Sequence, residues 1–226
     1  MRIPLGFNFR QPRYFSDRSE AGRRLAQRLL KYKGKDAVVL AIPRGGVVVA
    51  VEVASALEAP LDVVIPRKIG APENPELAIG AVGPGGEVVI NEAVRSELGV
   101  PDSYIAAEVQ RQLAEIDRRE RLYLGDRQPF PIEGKIAILV DDGLATGYTA
   151  IAAARSVRAR NPQKIALAVP VAPPDTCERL SKEVDEIICL ETPELFFAVG
   201  QFYADFTQVS DVEVVEILKR YSEWRA

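Results

Sequence analysis

Apolar runs rich in Val and Ile alternate along the chain with segments whose apolar residues recur every three or four positions. The runs predict strands that are buried on both faces, and the periodic segments predict amphipathic helices. Their alternation is typical of βαβ units, in which helices cover a mainly parallel sheet. We therefore predict an α/β fold with a mainly parallel, twisted sheet flanked by helices. The predicted strands are 37–42, 61–66, 136–140, 164–169 and 186–190, and the predicted helices are 16–32, 47–57, 101–122, 146–160, 174–182 and one that starts near Ser210.

The region from about 71 to 132 departs from this alternation. Residues 79–82 and 87–90 flank Gly83-Pro84-Gly85-Gly86, which predicts a hairpin. The long, charged helix that follows is expected to lie on the surface. No linker, repeat or low-complexity tract divides the chain, so we predict a single domain over 1–226 with a hairpin-plus-helix insertion at about 71–132.

The amino-acid composition limits the classes of partner that the chain is expected to bind. The 226 residues are 47% hydrophobic and 27% charged, as in an ordinary globular protein. The net charge of -3 gives no reason to expect nucleic acid as a partner. Cys177 and Cys189 are too few for a disulfide scaffold and lack metal-ligand spacing. The N-terminus has no apolar run typical of a signal peptide, and no later run could span a bilayer, so a cytoplasmic protein without a membrane partner is expected.

The chain contains no histidine. This excludes Ser-His-Asp and Cys-His nucleophile systems and any His-ligated zinc site. Chemistry must depend on carboxylates, Lys, Arg, backbone amides and a hard cation, which are the groups that handle phosphates.

The segment 138–149 carries the strongest chemical signal. A hydrophobic strand delivers Asp141 and Asp142 to its carboxyl end, where ligands bind in open α/β sheets. A loop with Gly143, Thr146 and Thr149 then leads into a helix, whose free amides and dipole favour a phosphate. Two carboxylates beside such a phosphate site suit the hydroxyls of a ribose. The plainer alternative is a capping Asp followed by a glycine turn.

This whole run resembles the substrate-binding motif of type I phosphoribosyltransferases. The resemblance implies that the chain binds 5-phosphoribosyl 1-diphosphate, with Asp141 and Asp142 on the ribose diol. It implies that magnesium is the cofactor, held mainly by the ligand, so that no protein residue is firmly assigned to the metal. It also assigns the ribose 5-phosphate to Gly143, Leu144, Ala145, Thr146, Gly147, Tyr148 and Thr149.

Pro43, Arg44, Gly45 and Gly46 follow the first strand of the predicted sheet. The glycines would let backbone amides approach a diphosphate closely, and Arg44 would add charge. By itself the segment reads as a tight turn, but in this place it resembles the diphosphate loop of the same family. That family often has a non-proline cis peptide here, which predicts one between Pro43 and Arg44.

Arg67 and Lys68 resemble the Arg-Lys step that opens the mobile catalytic loop of the family, which is also tied to dimer contacts. The resemblance implies a homodimer and assigns both residues to the diphosphate and to catalysis. Residues 70–80 have the Gly and Pro content of a lid. The alternative is a solvated basic pair on a surface loop.

Aromatic residues cluster at about 191–206, where the chain resembles the hood of hypoxanthine-guanine phosphoribosyltransferases. There a Phe stacks on the purine, which makes Phe196 or Phe197 a candidate for the acceptor site. The alternative is that these aromatics, with Phe202 and Tyr203, form part of the core.

The function implied is a magnesium-dependent phosphoribosyltransferase of nucleotide salvage, which would transfer the phosphoribosyl group to a nitrogenous acceptor, a nucleobase, and release diphosphate. The alternative is a regulatory protein that binds the same ligand without turnover. A generic nucleotide-binding protein is less consistent with the sequence, because no Walker lysine motif or GxGxxG is present. The sequence identifies neither the acceptor nor a general base.

Overall fold

The computed structural model describes residues 14–225. The N-terminal segment 1–13, on which the expectation of no signal peptide rests, lies outside the described residues. Within the described part of the chain, every helix is too short or too polar to cross a membrane.

The main sheet has five strands in the order β2-β1-β6-β7-β8, and every neighbouring pair is parallel. This confirms the predicted α/β class. The three central strands are almost entirely buried, which explains their continuous apolar runs. The strands are β1 (Ala37–Ala41), β2 (Leu61–Val63), β6 (Ile136–Val140), β7 (Lys164–Val171) and β8 (Glu186–Glu191).

Helices cover both faces of this sheet. Ile138 and Val140 of β6 pack on one side with α1, α2 and α7, whereas Ala137 and Leu139 pack on the other side with α5 and α6. Because successive side chains of β6 point to opposite faces of the sheet, this strand contributes to two separate cores. The helices are α1 (Arg18–Leu29), α2 (Gly45–Leu57), α5 (Tyr148–Arg158), α6 (Pro174–Leu180) and α7 (Asp211–Arg225).

The insertion contains more elements than the predicted hairpin and helix. A second sheet contains β3 (Arg67–Gly70), β4 (Ala78–Val82) and β5 (Val88–Ile90) in antiparallel order. It is followed by the short helix α3 (Glu92–Glu97), which was not among the predicted helices, and by α4 (Asp102–Leu124). The predicted hairpin thus acquires a third strand at its edge.

The expectation that the long helix lies on the surface is wrong for one of its faces. Ile105, Val109 and Ile116 of α4 are buried in the core that also contains α2 and α7. Among the charged residues of α4 only Glu108 is buried, and the others are exposed or half-buried. The helix is therefore amphipathic although its average polarity is high. This burial places α4 beside β3 and α7.

Candidate active site

Two predicted loops meet at the carboxyl ends of β1 and β6. The strands are paired in parallel, and the amide of Ile42 donates to the carbonyl of Val140 at 2.8 Å. A Cβ added to Gly46 would lie 2.9 Å from that carbonyl oxygen and 3.0 Å from the Cα of Asp141. Only glycine allows the loop after β1 to approach the loop after β6 this closely. The predicted diphosphate loop and the predicted ribose motif are therefore adjacent.

The peptide bond between Pro43 and Arg44 is cis, which confirms the prediction made for this loop. Helix α2 begins directly afterwards at Gly45, with Arg44 at its N-cap position. The first amides of a helix have no acceptor within it, and the helix dipole favours an anion there. The loop therefore presents backbone donors beside a half-buried arginine.

Asp142 forms an ion pair that the sequence did not predict. Its Oδ2 accepts a hydrogen bond from Nε of Arg18 at 2.7 Å, and both side chains are largely buried. The same guanidinium donates to the carbonyl of Thr207 at 2.7 Å and lies 3.8 Å from the ring centroid of Phe206. Arg18 thus links the start of α1 to the acidic motif and to the segment before α7.

The two adjacent carboxyls have different surroundings. Burial, reinforced by the charge of Asp142, raises the pKa of Asp141 well above its usual range. Burial also raises the pKa of Asp142, and the neighbouring Arg18 opposes this rise. Asp142 is therefore the carboxyl that more readily carries the negative charge, whereas Asp141 is held back from ionising.

We expect Asp141→Asn to stabilise the ligand-free protein at pH 8. Because the pKa of Asp141 is raised by folding, the stability linked to this group is present below its unfolded pKa and is lost as pH rises through its folded pKa. Asparagine does not ionise, and its Oδ1 can still accept from the amide of Asp142, as Asp141 does at 2.8 Å. The melting temperature should rise by about 2–4 °C, the shift that roughly 1 kcal/mol produces in a domain of this size.

The measurement is thermal unfolding of both proteins between pH 4 and pH 8. The difference between the variant and the wild type should shrink as the pH falls. Asp126→Asn, which changes an exposed carboxylate, is the control and should show no such trend. A variant that melts below the wild type at pH 8 would contradict the conclusion that folding raises the pKa of Asp141.

The predicted 5-phosphate segment forms a concave loop that is braced from behind by α6. Gly147, at φ +75, precedes the first turn of α5, and a Cβ there would lie 2.8 Å from Cγ2 of Thr176. The hydroxyl of Thr176 donates to the carbonyl of Ala145 at 2.7 Å, and Nη1 of Arg179 donates to that of Thr146 at 2.8 Å. These two bonds use carbonyls, which leaves the amides at the start of α5 to face a ligand.

A cavity of about 230 Å³ lies in front of this loop. All seven predicted 5-phosphate residues line it, from Gly143 to Thr149, and Lys68, Ala78, Gly80 and Val199 complete its wall. The structure therefore brings the predicted phosphate residues together and adds Lys68 from the insertion.

A larger cavity of about 670 Å³ opens beside the loop after β1. Arg44, Arg67 and Lys68, the three predicted diphosphate-binding cations, line it together. Arg111 from α4 is a fourth cation in the lining and was not among the predicted site residues. Lys68 lines both this cavity and the smaller one, so it lies where the two meet.

Arg67 and Lys68 were expected at the start of a mobile loop, but both lie in β3. Lys68 donates to the carbonyl and the carboxylate of Glu76, at 3.0 and 3.1 Å. The connection from β3 to β4 covers only 71–77, because β4 has already begun at Ala78. The segment that could act as a lid is therefore shorter than the expected 70–80, and its closure stays a prediction.

The aromatic group assigned to the hood is divided between surface and core. Phe196 is half-buried against Phe202, at a centroid distance of 5.0 Å, whereas Phe197 is 83% exposed. Phe202 and Tyr203 are core residues, and the hydroxyl of Tyr203 donates to the carbonyl of Asp142 at 2.6 Å. The buried part of the aromatic cluster therefore packs beside the acidic motif and is hydrogen-bonded to its backbone.

Phe196 and Phe197 border a third cavity, of about 420 Å³. This cavity is also lined by Ala145, Thr146 and Tyr148 of the loop 143–149. They do not line either of the other two cavities, where Val199 is the contribution of the hood. Their assignment to an acceptor stays a prediction.

Among the described residues, no three His, Cys, Asp or Glu side chains converge in a way that would hold a metal ion. The acidic groups nearest the phosphate loop are Asp141 and Asp142, and one of these is paired with Arg18. This donor set fits an ion such as Mg²⁺ that keeps most of its ligands from substrate oxygens and water.

The two loops, with the acidic pair between them, lie at the carboxyl ends of strands in a parallel sheet, which is where ligands bind in open α/β domains. The family model of the phosphoribosyl transferase domain matches residues 17–207. The chain therefore belongs to the phosphoribosyl transferase domain family, which confirms the resemblance seen in its motifs.

Two relatives and two solved structures illustrate the likeness. The Mycobacterium tuberculosis proteins MT0597 and Rv0571c, provisionally named phosphoribosyl transferases, are each 50% identical over 206 residues, which is 91% of this chain. That match covers 46% of each, so the chain spans about half the length of these curated relatives.

The structure of TT1426 from Thermus thermophilus has a TM-score of 0.76 and 43% identity, over 92% of this chain and 98% of that one. AQ2163 from Aquifex aeolicus, with a TM-score of 0.51 and 15% identity over 90% of this chain and 98% of its own, shares the fold alone.

Proposed function

We propose that the chain transfers the 5-phosphoribosyl group of 5-phosphoribosyl 1-diphosphate to a nitrogenous acceptor, a nucleobase, and releases diphosphate. One observation carries this proposal: Lys68 lies where a cavity lined by the loop 143–149 meets a cavity lined by Arg44 and Arg67. A ligand with a phosphate at one end and a diphosphate at the other fits this pair of cavities, and Asp141 and Asp142 directly precede the loop 143–149 in the chain. The names of the Mycobacterium tuberculosis relatives support the same class of reaction.

The residues would act by position and charge. The 5-phosphate would bind the amides of the loop 143–149, and the diphosphate would bind the start of α2 with Arg44, Arg67 and Lys68. As the bond from C1 to the diphosphate oxygen breaks, positive charge develops on the ribose and negative charge on the leaving group. The acidic pair favours the first and the cations favour the second, while the acceptor nitrogen forms the new bond to C1.

The ion pair with Arg18 is compatible with this role. A carboxylate has about four acceptor positions on its two oxygens, so Asp142 can accept from Arg18 and from a ribose hydroxyl at the same time. The bond to Arg18 also fixes the direction of the carboxylate before the ligand arrives. We therefore infer that Arg18 prepares Asp142 for the diol.

Magnesium would be held mainly by diphosphate and ribose oxygens near Asp141 and Asp142, and it would supply neutralising charge to the diphosphate. The proposal further includes a homodimer, a cytoplasmic location and a role in nucleotide salvage.

The direct test measures diphosphate release from 5-phosphoribosyl 1-diphosphate with Mg²⁺ and a panel of purine, pyrimidine and amine acceptors. Acceptor-dependent release supports the transferase. Tight binding of the sugar diphosphate by calorimetry, without release for any acceptor, would instead support a regulatory protein that binds the ligand without turnover. Failure to bind the sugar diphosphate would contradict both functions.

We expect Phe197→Ala to raise the Michaelis constant for the acceptor by about tenfold, because a base stacked on an aromatic ring gains roughly 1–3 kcal/mol. The side chain is 83% exposed, so its removal should leave the melting temperature nearly unchanged. The constant for the sugar diphosphate should change little. Leu195→Ala, at a neighbouring exposed position, is the control.

Phe196→Ala is a second variant, interpreted together with its melting temperature because this ring packs on Phe202. If neither substitution alters the acceptor constant in a folded protein, the acceptor binds elsewhere.

A further inference from the structure

Helix α4 buries two polar side chains next to the candidate active site. Glu108 is 6% exposed and Gln112 is 8% exposed, on the face that also buries Ile105, Val109 and Ile116. A carboxylate or an amide removed from water is costly unless its hydrogen-bonding groups find partners. Their presence on this face therefore calls for a specific set of contacts.

Those contacts form a chain from β3 to α4. Oε1 of Gln112 accepts from Nε of Arg67 at 2.9 Å, and Nε2 of Gln112 donates to Oε1 of Glu108 at 2.7 Å. Glu108 also accepts from Nη2 of Arg111 at 2.7 Å. Arginine has only donors and an ionised carboxylate has only acceptors, so the glutamine amide can satisfy both neighbours in one orientation alone.

Glu108 is the charged centre of this chain. Burial acts to raise its pKa, but the hydrogen bonds from Arg111 and Gln112 outweigh this, and the pKa lies below its ordinary value. The carboxylate is therefore ionised at neutral pH and holds the donor side of Gln112 toward itself. As a result, the acceptor oxygen of Gln112 is directed at Arg67.

Within the described residues, Arg67 makes a hydrogen bond through Nε alone. Its two terminal NH₂ groups have no hydrogen-bond partner among residues 14–225, and the side chain lines the cavity of about 670 Å³. A guanidinium held through Nε can offer both terminal groups to one phosphate, a paired geometry that is strong and directional.

We propose that Gln112 is a positioning residue that orients Arg67 toward the leaving diphosphate, and that α4 is thereby part of the active site. The proposal rests on the proposed function, because that function places a diphosphate in the cavity. Arg111, paired with Glu108, lines the same cavity, whose lining also includes the carboxylates of Glu76 and Glu115.

The test is Gln112→Met, which keeps the length of the side chain and removes both hydrogen bonds. With Mg²⁺ present, calorimetry should show about tenfold weaker binding of inorganic diphosphate. A loss of this size is expected when one charged donor, the guanidinium of Arg67, is no longer oriented toward the ligand. Binding of ribose 5-phosphate, which uses the loop 143–149, should stay unchanged. Gln110→Met, at an exposed position of the same helix, is the matched control.

A double variant that reverses the hydrogen bond between positions 108 and 112 should retain diphosphate affinity. In the double variant Glu108→Gln with Gln112→Glu, the new Glu accepts from Arg67, and the new Gln donates to it while accepting from Arg111. All three contacts are kept, and only the bond between positions 108 and 112 reverses its direction, so diphosphate affinity should be within about twofold of the wild type.

Two outcomes overturn the proposal and leave the proposed function standing. The first is wild-type diphosphate affinity in Gln112→Met, and the second is an equal loss for diphosphate and ribose 5-phosphate, which would show a purely structural role. A wild-type chain that binds neither 5-phosphoribosyl 1-diphosphate nor diphosphate contradicts both. If Gln112→Met does not fold, Gln112→Asn, which is too short to reach both neighbours, replaces it, and unchanged diphosphate affinity in that variant overturns the proposal.

Discussion

Replacing both Asp141 and Asp142 with Asn should weaken the binding of 5-phosphoribosyl 1-diphosphate by at least about tenfold, and by about a hundredfold if both bonds to the diol are lost. A hydrogen bond to a charged group, which Asp142 as the more readily ionised carboxyl would accept, contributes roughly 1.5–3 kcal/mol, and about 1.4 kcal/mol corresponds to a factor of ten. Asparagine retains an acceptor oxygen for Arg18, so the contact now made at 2.7 Å can persist. The expected loss therefore reports on the ligand and not on the fold.

Calorimetry with the sugar diphosphate and with inorganic diphosphate separates the two parts of the site. The affinity for inorganic diphosphate should change much less, because its proposed contacts are Arg44, Arg67, Lys68 and the start of α2. Thermal unfolding checks that the double variant is folded. Unchanged affinity for the sugar diphosphate in a folded variant would refute the assignment of the acidic pair to the diol.

The parts of the fold that the sequence predicted are those with a local signature. The strands β1, β6 and β7 are continuous apolar runs because both of their faces are buried, so the composition and length of these runs were enough to predict them. The strand β3 was missed because Arg67-Lys68-Ile69-Gly70 has no such pattern. It becomes a strand by pairing with β4, and that pairing depends on tertiary packing.

The site divides in the same way. The loops 43–46 and 141–149 are each one unbroken segment that follows a single strand. Their glycines and acidic residues could therefore be recognised in the sequence. Arg18 lies 124 positions from Asp142, and Gln112 lies 45 positions from Arg67. Arg and Gln are common on surface helices, so nothing local distinguishes these two residues from solvated neighbours.

The hood shows a different limit of sequence reasoning. The sequence left open whether the aromatic cluster forms a stacking surface or part of the core. Phe202 and Tyr203 belong to the core, where they are covered by Phe15, whose amide donates to the carbonyl of Phe202 at 3.0 Å. Burial of an aromatic ring depends on which distant segment packs over it. Nothing in the sequence indicates that residue 15 would do so.

The position of Lys68 between the two cavities predicts a large effect on the chemical step. Its ammonium group would lie near the bond that breaks and would stabilise the charge that develops on the departing diphosphate. Removing one preorganised donor of this kind costs about 10²–10³ in turnover. We therefore expect Lys68→Ala to lower kcat by a factor in this range. The affinity for a nucleoside monophosphate product, which lacks the diphosphate, should fall far less.

Stability is not expected to mask this effect. The protein partner of Lys68 is Glu76, whose side chain is 93% exposed, and exposed ion pairs contribute about 0–1 kcal/mol. Glu76→Gln removes the same ion pair while keeping the lysine, so it is the matched control and should retain most of the turnover. Turnover would be measured by diphosphate release with the best acceptor of the panel, and product affinity by calorimetry. Equal losses of turnover and product affinity in Lys68→Ala would show that the lysine binds ground state and transition state alike, and its assignment to the chemical step would then be wrong.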